Sequence, residues 1–113
     1  MNDFDPRYRT YFTCFNRQEF FEAHEALEEL WLITHDRRRD FYKGLIQTAA
    51  AFLKWQQAKP DPAGRLARRA AALLQPYAPV CEGLRVPTVL ALLDQLPHRV
   101  TQPPRLELEP PCD

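Results

Sequence analysis

The chain has 113 residues, which is near the commonest size of a single domain and long enough to bury a core without disulfide or metal staples. Its 15 Lys and Arg residues balance its 15 Asp and Glu residues, so no long-range field favours nucleic acid or an anionic membrane as partner. The three cysteines are odd in number and far apart, which argues against a disulfide framework and against a zinc site. These features predict one domain with reduced thiols.

The N-terminal segment lacks the features of a targeting sequence. Residues 1–6 contain neither the basic region nor the apolar stretch of a signal peptide. No later segment approaches the roughly 20 apolar residues that cross a bilayer. We therefore expect a cytoplasmic protein that has no membrane partner.

Helical periodicity divides the first 97 residues into four or five segments. The first predicted helix begins near Pro6, and the second runs from about Arg17 to Thr34. The third follows the turn at Thr34–Asp36 and ends at about Gln57. The fourth has Asp61 as its N-cap and Pro62 at its first position, and the fifth begins at Pro87. Helices of roughly 10 to 20 residues joined by short loops are typical of antiparallel bundles. We predict an all-α fold: an up-and-down bundle of about three core helices with one or two shorter ones.

The start of the second helix carries a recognisable signature. Asn16 is followed three residues later by Glu19, which is the spacing of a capping box. Phe15 and Phe20 flank this site at the positions of a hydrophobic staple. We therefore predict that the Asn16 side chain caps the second helix.

The end of the chain differs in composition from the rest. Prolines recur at positions 97, 103, 104, 110 and 111, which is incompatible with helix and predicts an extended or disordered tail. We predict a single bundle domain over residues 1–97 and a Pro-rich tail over residues 98–113. Because residues 105–108 alternate charged and apolar side chains, this part of the tail could lie against the bundle like a strand.

The polar residues best suited to catalysis or metal binding lie on the second helix. His24 falls within the apolar stripe, and Glu28 lies one turn further along on its flank, so both side chains should be partly buried neighbours. Such a pair can act as a general base or offer two ligands to a metal ion. Glu25 is a further candidate, although it falls on the outer side of the helix. The competing interpretation is structural, because buried polar groups need partners whatever the function.

The third helix offers a place where another helix can come close. Gly44 and Ala51 lie along one flank, and Gln47 sits in the groove between them. Our leading hypothesis is a binding or structural module in which His24, Glu28 and Gln47 form a buried polar network. The alternative is a small hydrolase or metal-binding enzyme that uses His24 and Glu28, and the sequence does not decide whether the protein is an enzyme.

A metal site is the less favoured of these interpretations. The zinc motif H-E-x-x-H needs a second His where this chain has Glu28. Di-iron bundles repeat their ligand pair on other helices, and this chain has one His and Glu pair of this kind. We therefore expect no cofactor, with a divalent metal on His24 and Glu28 as the weaker alternative.

Two runs of arginine are the remaining candidates for a binding surface. They comprise Arg37, Arg38, Arg39, Arg65, Arg68 and Arg69. These residues form a phosphate or RNA patch only if the turn after the second helix approaches the fourth helix, and the zero net charge makes nucleic acid an unfavoured partner. Trp31 and Trp55 are interpreted as core anchors. Self-association into a homo-oligomer is compatible with the sequence, which identifies no small-molecule ligand.

Two motifs of the chain are specific in combination. Phe15-Asn16 followed by residues 20–31, FFEAHEALEELW, and then residues 44–51, GLIQTAAA, resembles domain of unknown function family 309 of bacteria and archaea over roughly residues 10–75. The resemblance implies a small bundle with a core of about three antiparallel helices, and it implies no established activity. By this resemblance, six residues of the chain occupy the family's motif positions: His24, Glu25, Glu28, Trp31, Gly44 and Gln47. Residues 59–64 depart from the family, since they hold two prolines where it tends to have a Gly-Asn type of turn.

Overall fold

Five helices and one short hairpin make up residues 4–109, which are the residues described by the computed structural model. The elements are α1 (Pro6–Asn16), α2 (Phe20–Ile33), α3 (Arg38–Gln56), α4 (Pro60–Leu74), a 3-10 turn (Gln75–Tyr77), β1 (Val80–Cys81), β2 (Leu84–Arg85) and α5 (Val86–Asp94). Each of the first four helices packs against the next, and their short loops make neighbours antiparallel. The prediction of an all-α bundle is confirmed. None of the helices within residues 4–109 is both long and apolar enough to cross a bilayer.

The start of α2 differs from the predicted capping box. α1 extends to Asn16, and α2 begins at Phe20 without a side-chain cap. The Asn16 amide donates a hydrogen bond to the carbonyl of Leu106, and its oxygen accepts one from the Leu106 N–H, both at 2.8 Å. The capping prediction was wrong because both polar atoms of this side chain are occupied by a segment 90 residues away.

Aromatic side chains of α1 fill the centre of the bundle. Phe15 is fully buried, and its ring centroid lies 5.2 Å from that of Phe20 on α2 and 5.6 Å from that of Phe52 on α3. The predicted contact between Phe15 and Phe20 is therefore confirmed. The buried Tyr11 hydroxyl donates a 2.7 Å hydrogen bond to the Leu45 carbonyl. These contacts hold α1 against α2 and α3 at once, and they fix which face of α2 is turned inward.

The close approach of α3 and α4 depends on Gly44, as its place in the predicted groove suggested. A Cβ atom at this position would lie 2.7 Å from both Cγ and Cδ2 of Leu74 and 3.3 Å from Cβ of Leu73. Real Cβ atoms do not come this near, and Leu74 is itself fully buried. The two helices can therefore pack at this distance only because position 44 has no side chain.

We expect Gly44→Ala to lower the free energy of unfolding by about 1–3 kcal/mol, because the overpacking outweighs the better helix propensity of Ala. Gly64→Ala on α4 is the matched control. Its Cβ would meet the nearest atoms at 3.5 and 3.7 Å, which is ordinary contact, so this variant should be as stable as the parent or more stable. Urea unfolding of both variants measures the difference. Equal effects of the two substitutions would contradict this account of the helix contact.

The hairpin and the C-terminal segment form a small cap beside the helices. β1 and β2 are antiparallel, with Val80 opposite Arg85 and Cys81 opposite Leu84. Leu108 makes a bridge to Leu84, and Leu106 is buried, so this part of the tail lies against the bundle. The hairpin was not predicted, because strands of two residues carry no detectable alternation. Residues 1–3 and 110–113 lie outside the described residues, and the predictions for Cys112 and the end of the tail fall there.

Candidate functional site

Helix α2 buries one face and leaves the other without a neighbouring helix. Four apolar side chains point into the core: Phe20, Ala23, Leu27 and Leu30. The opposite face carries Phe21 and Leu32, of which 53% and 59% are exposed. Glu25 and Glu28 lie between them at helical spacing, and His24 lies at the edge of this face. We call these five residues the α2 outer face.

A histidine and two glutamates come together at the middle of the α2 outer face. His24 Nδ1 lies 3.6 Å from Glu25 Oε2, and His24 Nε2 lies 3.9 Å from Glu28 Oε2. One ligand atom from each of the three side chains falls within 4.8 Å of the others. Within residues 4–109 this is the one group of three such side chains with the geometry to hold a metal ion.

The His24 ring is held in a defined orientation. Its side chain is 27% exposed, and the Phe21 ring stacks beside it at a centroid distance of 6.2 Å. Nδ1 is buried and has no hydrogen-bond partner, with the Glu25 carboxylate just beyond hydrogen-bond range. Nδ1 therefore faces Glu25, and Nε2 faces the side where Glu28 lies.

Gln47, the remaining candidate from the sequence, does not join this group. It is half-buried on α3, and within residues 4–109 no hydrogen bond links it to His24 or Glu28. Both nitrogens of the His24 ring face carboxylates of α2 itself, so neither is left for a partner on α3. The predicted buried network is thus reduced to a partly exposed cluster of His24, Glu25 and Glu28.

Trp31 has a role that the sequence did not reveal. The Arg39 guanidinium lies 4.1 Å from the Trp31 ring centroid, and the Lys43 ammonium lies 4.6 Å from it. Arg39 also donates 3.0 Å hydrogen bonds to the carbonyls of Trp31 and Thr34. It therefore satisfies carbonyls at the C-terminal end of α2 and ties this end to α3. The sequence carried no local signal for this contact, because Trp31 and Arg39 lie on different helices.

The predicted arginines line two separate cavities. Arg37 and Arg38 face a cavity of about 550 Å³ beside the hairpin, whereas Arg65 and Arg68 line one of about 330 Å³ at the start of α4. Arg38 is occupied, since it binds the Asp36 carboxylate at 2.9 Å and thereby holds the pKa of Asp36 below its usual value. The two arginine runs therefore do not line one common cavity, and Arg39 and Arg69 line neither of the two.

The cavity beside the hairpin offers no activated nucleophile among its described lining residues. Burial, together with the charge of Glu82, raises the pKa of the Cys81 thiol to about 11. This thiol stays protonated at neutral pH and is a poor nucleophile. Two acidic and two basic side chains line the cavity, so it has no dominant charge.

Comparisons with known proteins agree with the motifs. The family profile described as Domain of unknown function (DUF309) matches residues 8–66, just over half of the chain. An uncharacterized protein of Aquifex aeolicus (strain VF5) is 25% identical over 97 residues, which cover 83% of this chain and 29% of that protein, so the chain spans less than a third of its length. No solved structure matches the chain significantly. The match over residues 8–66 includes all of α2 and α3, and the chain therefore belongs to the family Domain of unknown function (DUF309).

Proposed function

We propose that this protein is a helical binding module that takes up a divalent transition-metal ion on the α2 outer face. His24 and Glu28 are the ligands, and Glu25 orients the imidazole. The observation that carries the proposal is the convergence of three ligand atoms within 4.8 Å on one helix face. The main cavities of residues 4–109 lie elsewhere, and none of the four is lined by these residues. Since sites for small-molecule substrates are usually concave, this position supports the uptake of an ion over the turnover of such a substrate.

The spacing of the two ligands suits such an ion. Ligand bonds of about 2.0–2.2 Å at a tetrahedral angle set an N···O separation of roughly 3.3 Å. His24 Nε2 and Glu28 Oε2 are 3.9 Å apart, so a small rotation of the exposed Glu28 side chain reaches that value. An imidazole nitrogen paired with a carboxylate oxygen suits Zn²⁺, Co²⁺ or Mn²⁺, whereas Ca²⁺ and Mg²⁺ prefer shells made of oxygen alone.

Glu25 acts through the second nitrogen of the ring. Metal-binding histidines usually donate their other N–H to a carboxylate or carbonyl, which fixes the tautomer and makes the ligand more basic. Glu25 Oε2 lies 3.6 Å from the buried Nδ1, so a shift of a few tenths of an ångström completes that hydrogen bond. The unpartnered Nδ1 is thereby accounted for.

We expect His24→Ala to weaken Zn²⁺ binding by about 100-fold or more, and Glu25→Gln to weaken it by about 10- to 100-fold. Zn²⁺ affinity is measured by competition with a chromophoric chelator, and the absorbance of Co²⁺ reports the ligand geometry. Glu22→Gln is the matched control for Glu28→Gln, because it removes the same charge from the same helix outside the cluster. If Glu22→Gln and Glu28→Gln weaken binding equally, or if His24→Ala has no effect, the proposed site is wrong.

The proposed setting of the module is the bacterial cytoplasm. Cys14 and Cys81 are both free thiols, which is typical of proteins in a reducing compartment. The relative from Aquifex aeolicus supports a bacterial origin. Co-fractionation of the native protein with cytoplasmic markers tests the location.

A further inference from the structure

We infer that a second copy of this chain completes the metal site, with the two α2 helices packed antiparallel through their outer faces. This inference rests on the proposed function, because His24 and Glu28 supply two ligands whereas a tetrahedral ion takes four. Glu25 is turned to the other side of the His24 ring. Within residues 4–109 no further His, Cys, Asp or Glu joins the cluster, so the described part of the chain leaves two coordination positions for a second copy to fill.

The order of residues along α2 suits a twofold axis. The midpoint of His24 and Glu28 is at Ala26, and the midpoint of Phe21 and Leu32 falls between Ala26 and the next residue. In an antiparallel pair centred at this level, each position faces its mirror position on the other helix. His24 then faces Glu28 of the second copy, and the two copies together present two imidazoles and two carboxylates to one ion.

The apolar ends of the α2 outer face pair in the same register. Phe21 and Leu32 are 53% and 59% exposed, and this register sets Phe21 against Leu32 of the second copy at both ends. Four such half-exposed side chains bring about 400 Å² of apolar surface to the contact. They enclose the charged centre on both sides and reduce its access to water.

The small apolar area of this contact makes the dimer depend on the ion. Stable interfaces bury about 1,200 Å² or more, so the apolar ends alone are too small. This register also gathers Glu25 and Glu28 of both copies around the axis, and these like charges repel until a cation lies between them. The chain is therefore a monomer without metal and a dimer with it.

Sedimentation of the full chain with Zn²⁺ and with EDTA tests this inference, together with the measured ratio of bound Zn²⁺ to protein. The expected result is a monomer in EDTA and a dimer that binds one ion per two chains. A monomer that binds one ion per chain would overturn the shared site and leave the metal-binding module intact. Absence of Zn²⁺ binding would overturn both.

Two variants separate the interface from the ligands. Leu32→Asp sets a charge against Phe21 of the second copy, and we expect it to weaken Zn²⁺-dependent dimerisation by about tenfold or more although His24 and Glu28 are unchanged. Ile33→Asp is the control, since this side chain is 60% exposed but lies about 100° further around the helix. Equal effects of the two variants, or none from Leu32→Asp, would rule out the proposed register.

Discussion

Phe15→Ala is expected to lower the free energy of unfolding by about 3–5 kcal/mol, the loss seen when a fully buried aromatic ring is removed from a core. The ring is buried among Tyr11, Phe20 and Phe52, which belong to three different helices. Because these neighbours are large and held by one another, they cannot collapse fully into the cavity left behind. Chemical unfolding followed by far-ultraviolet circular dichroism measures the loss.

Phe21→Ala is the control for this prediction. The two residues are the same type and only six positions apart, but 53% of Phe21 is exposed on the α2 outer face. We expect its removal to cost about 1 kcal/mol or less. A comparable loss from both substitutions would mean that α1 does not form the centre of the core.

The helices of this fold were predictable because their signal is local. Apolar residues at steps of three and four identified α2 and α3, and proline at the first turn marked the start of α1. Asn16 was wrongly predicted to cap α2 because its actual contact is not local. Its capping signature depends on neighbours, whereas its actual partner Leu106 lies 90 positions away in sequence. No periodic pattern carries that information.

The candidate site was likewise predictable only where it depends on local spacing. Helical geometry alone brings His24 and Glu28 together, because positions four apart lie on the same side of a helix. Glu25 was expected on the outer side, since adjacent residues diverge by about 100°. The tilt of the His24 ring beside Phe21 brings Nδ1 to the Glu25 carboxylate, and a rotamer of this kind cannot be read from spacing. Gln47 was included because its position in a groove of α3 suggested a contact with His24, whereas the His24 imidazole turns to the carboxylates of its own helix.

The segment around Leu106 packs against the helices, and Leu106→Ala tests how much of the stability depends on this contact. We expect the free energy of unfolding to fall by about 2–4 kcal/mol, the usual range for a buried Leu in a core. Leu106 is 1% exposed, and its backbone N–H and carbonyl are both bound by the Asn16 side chain at 2.8 Å. The substitution therefore removes a packed side chain from the point where the segment is anchored to the end of α1.

Glu107→Ala is the control for Leu106→Ala, because its side chain is exposed and its ion pair within residues 4–109 is with Arg105, two positions away. A surface pair of this kind contributes less than about 1 kcal/mol. Hydrogen exchange at the Leu106 amide gives a second, local measurement: Asn16→Ala should speed it, since this N–H loses its acceptor. If Leu106→Ala leaves stability unchanged, the side chain of Leu106 does not anchor this segment to the core.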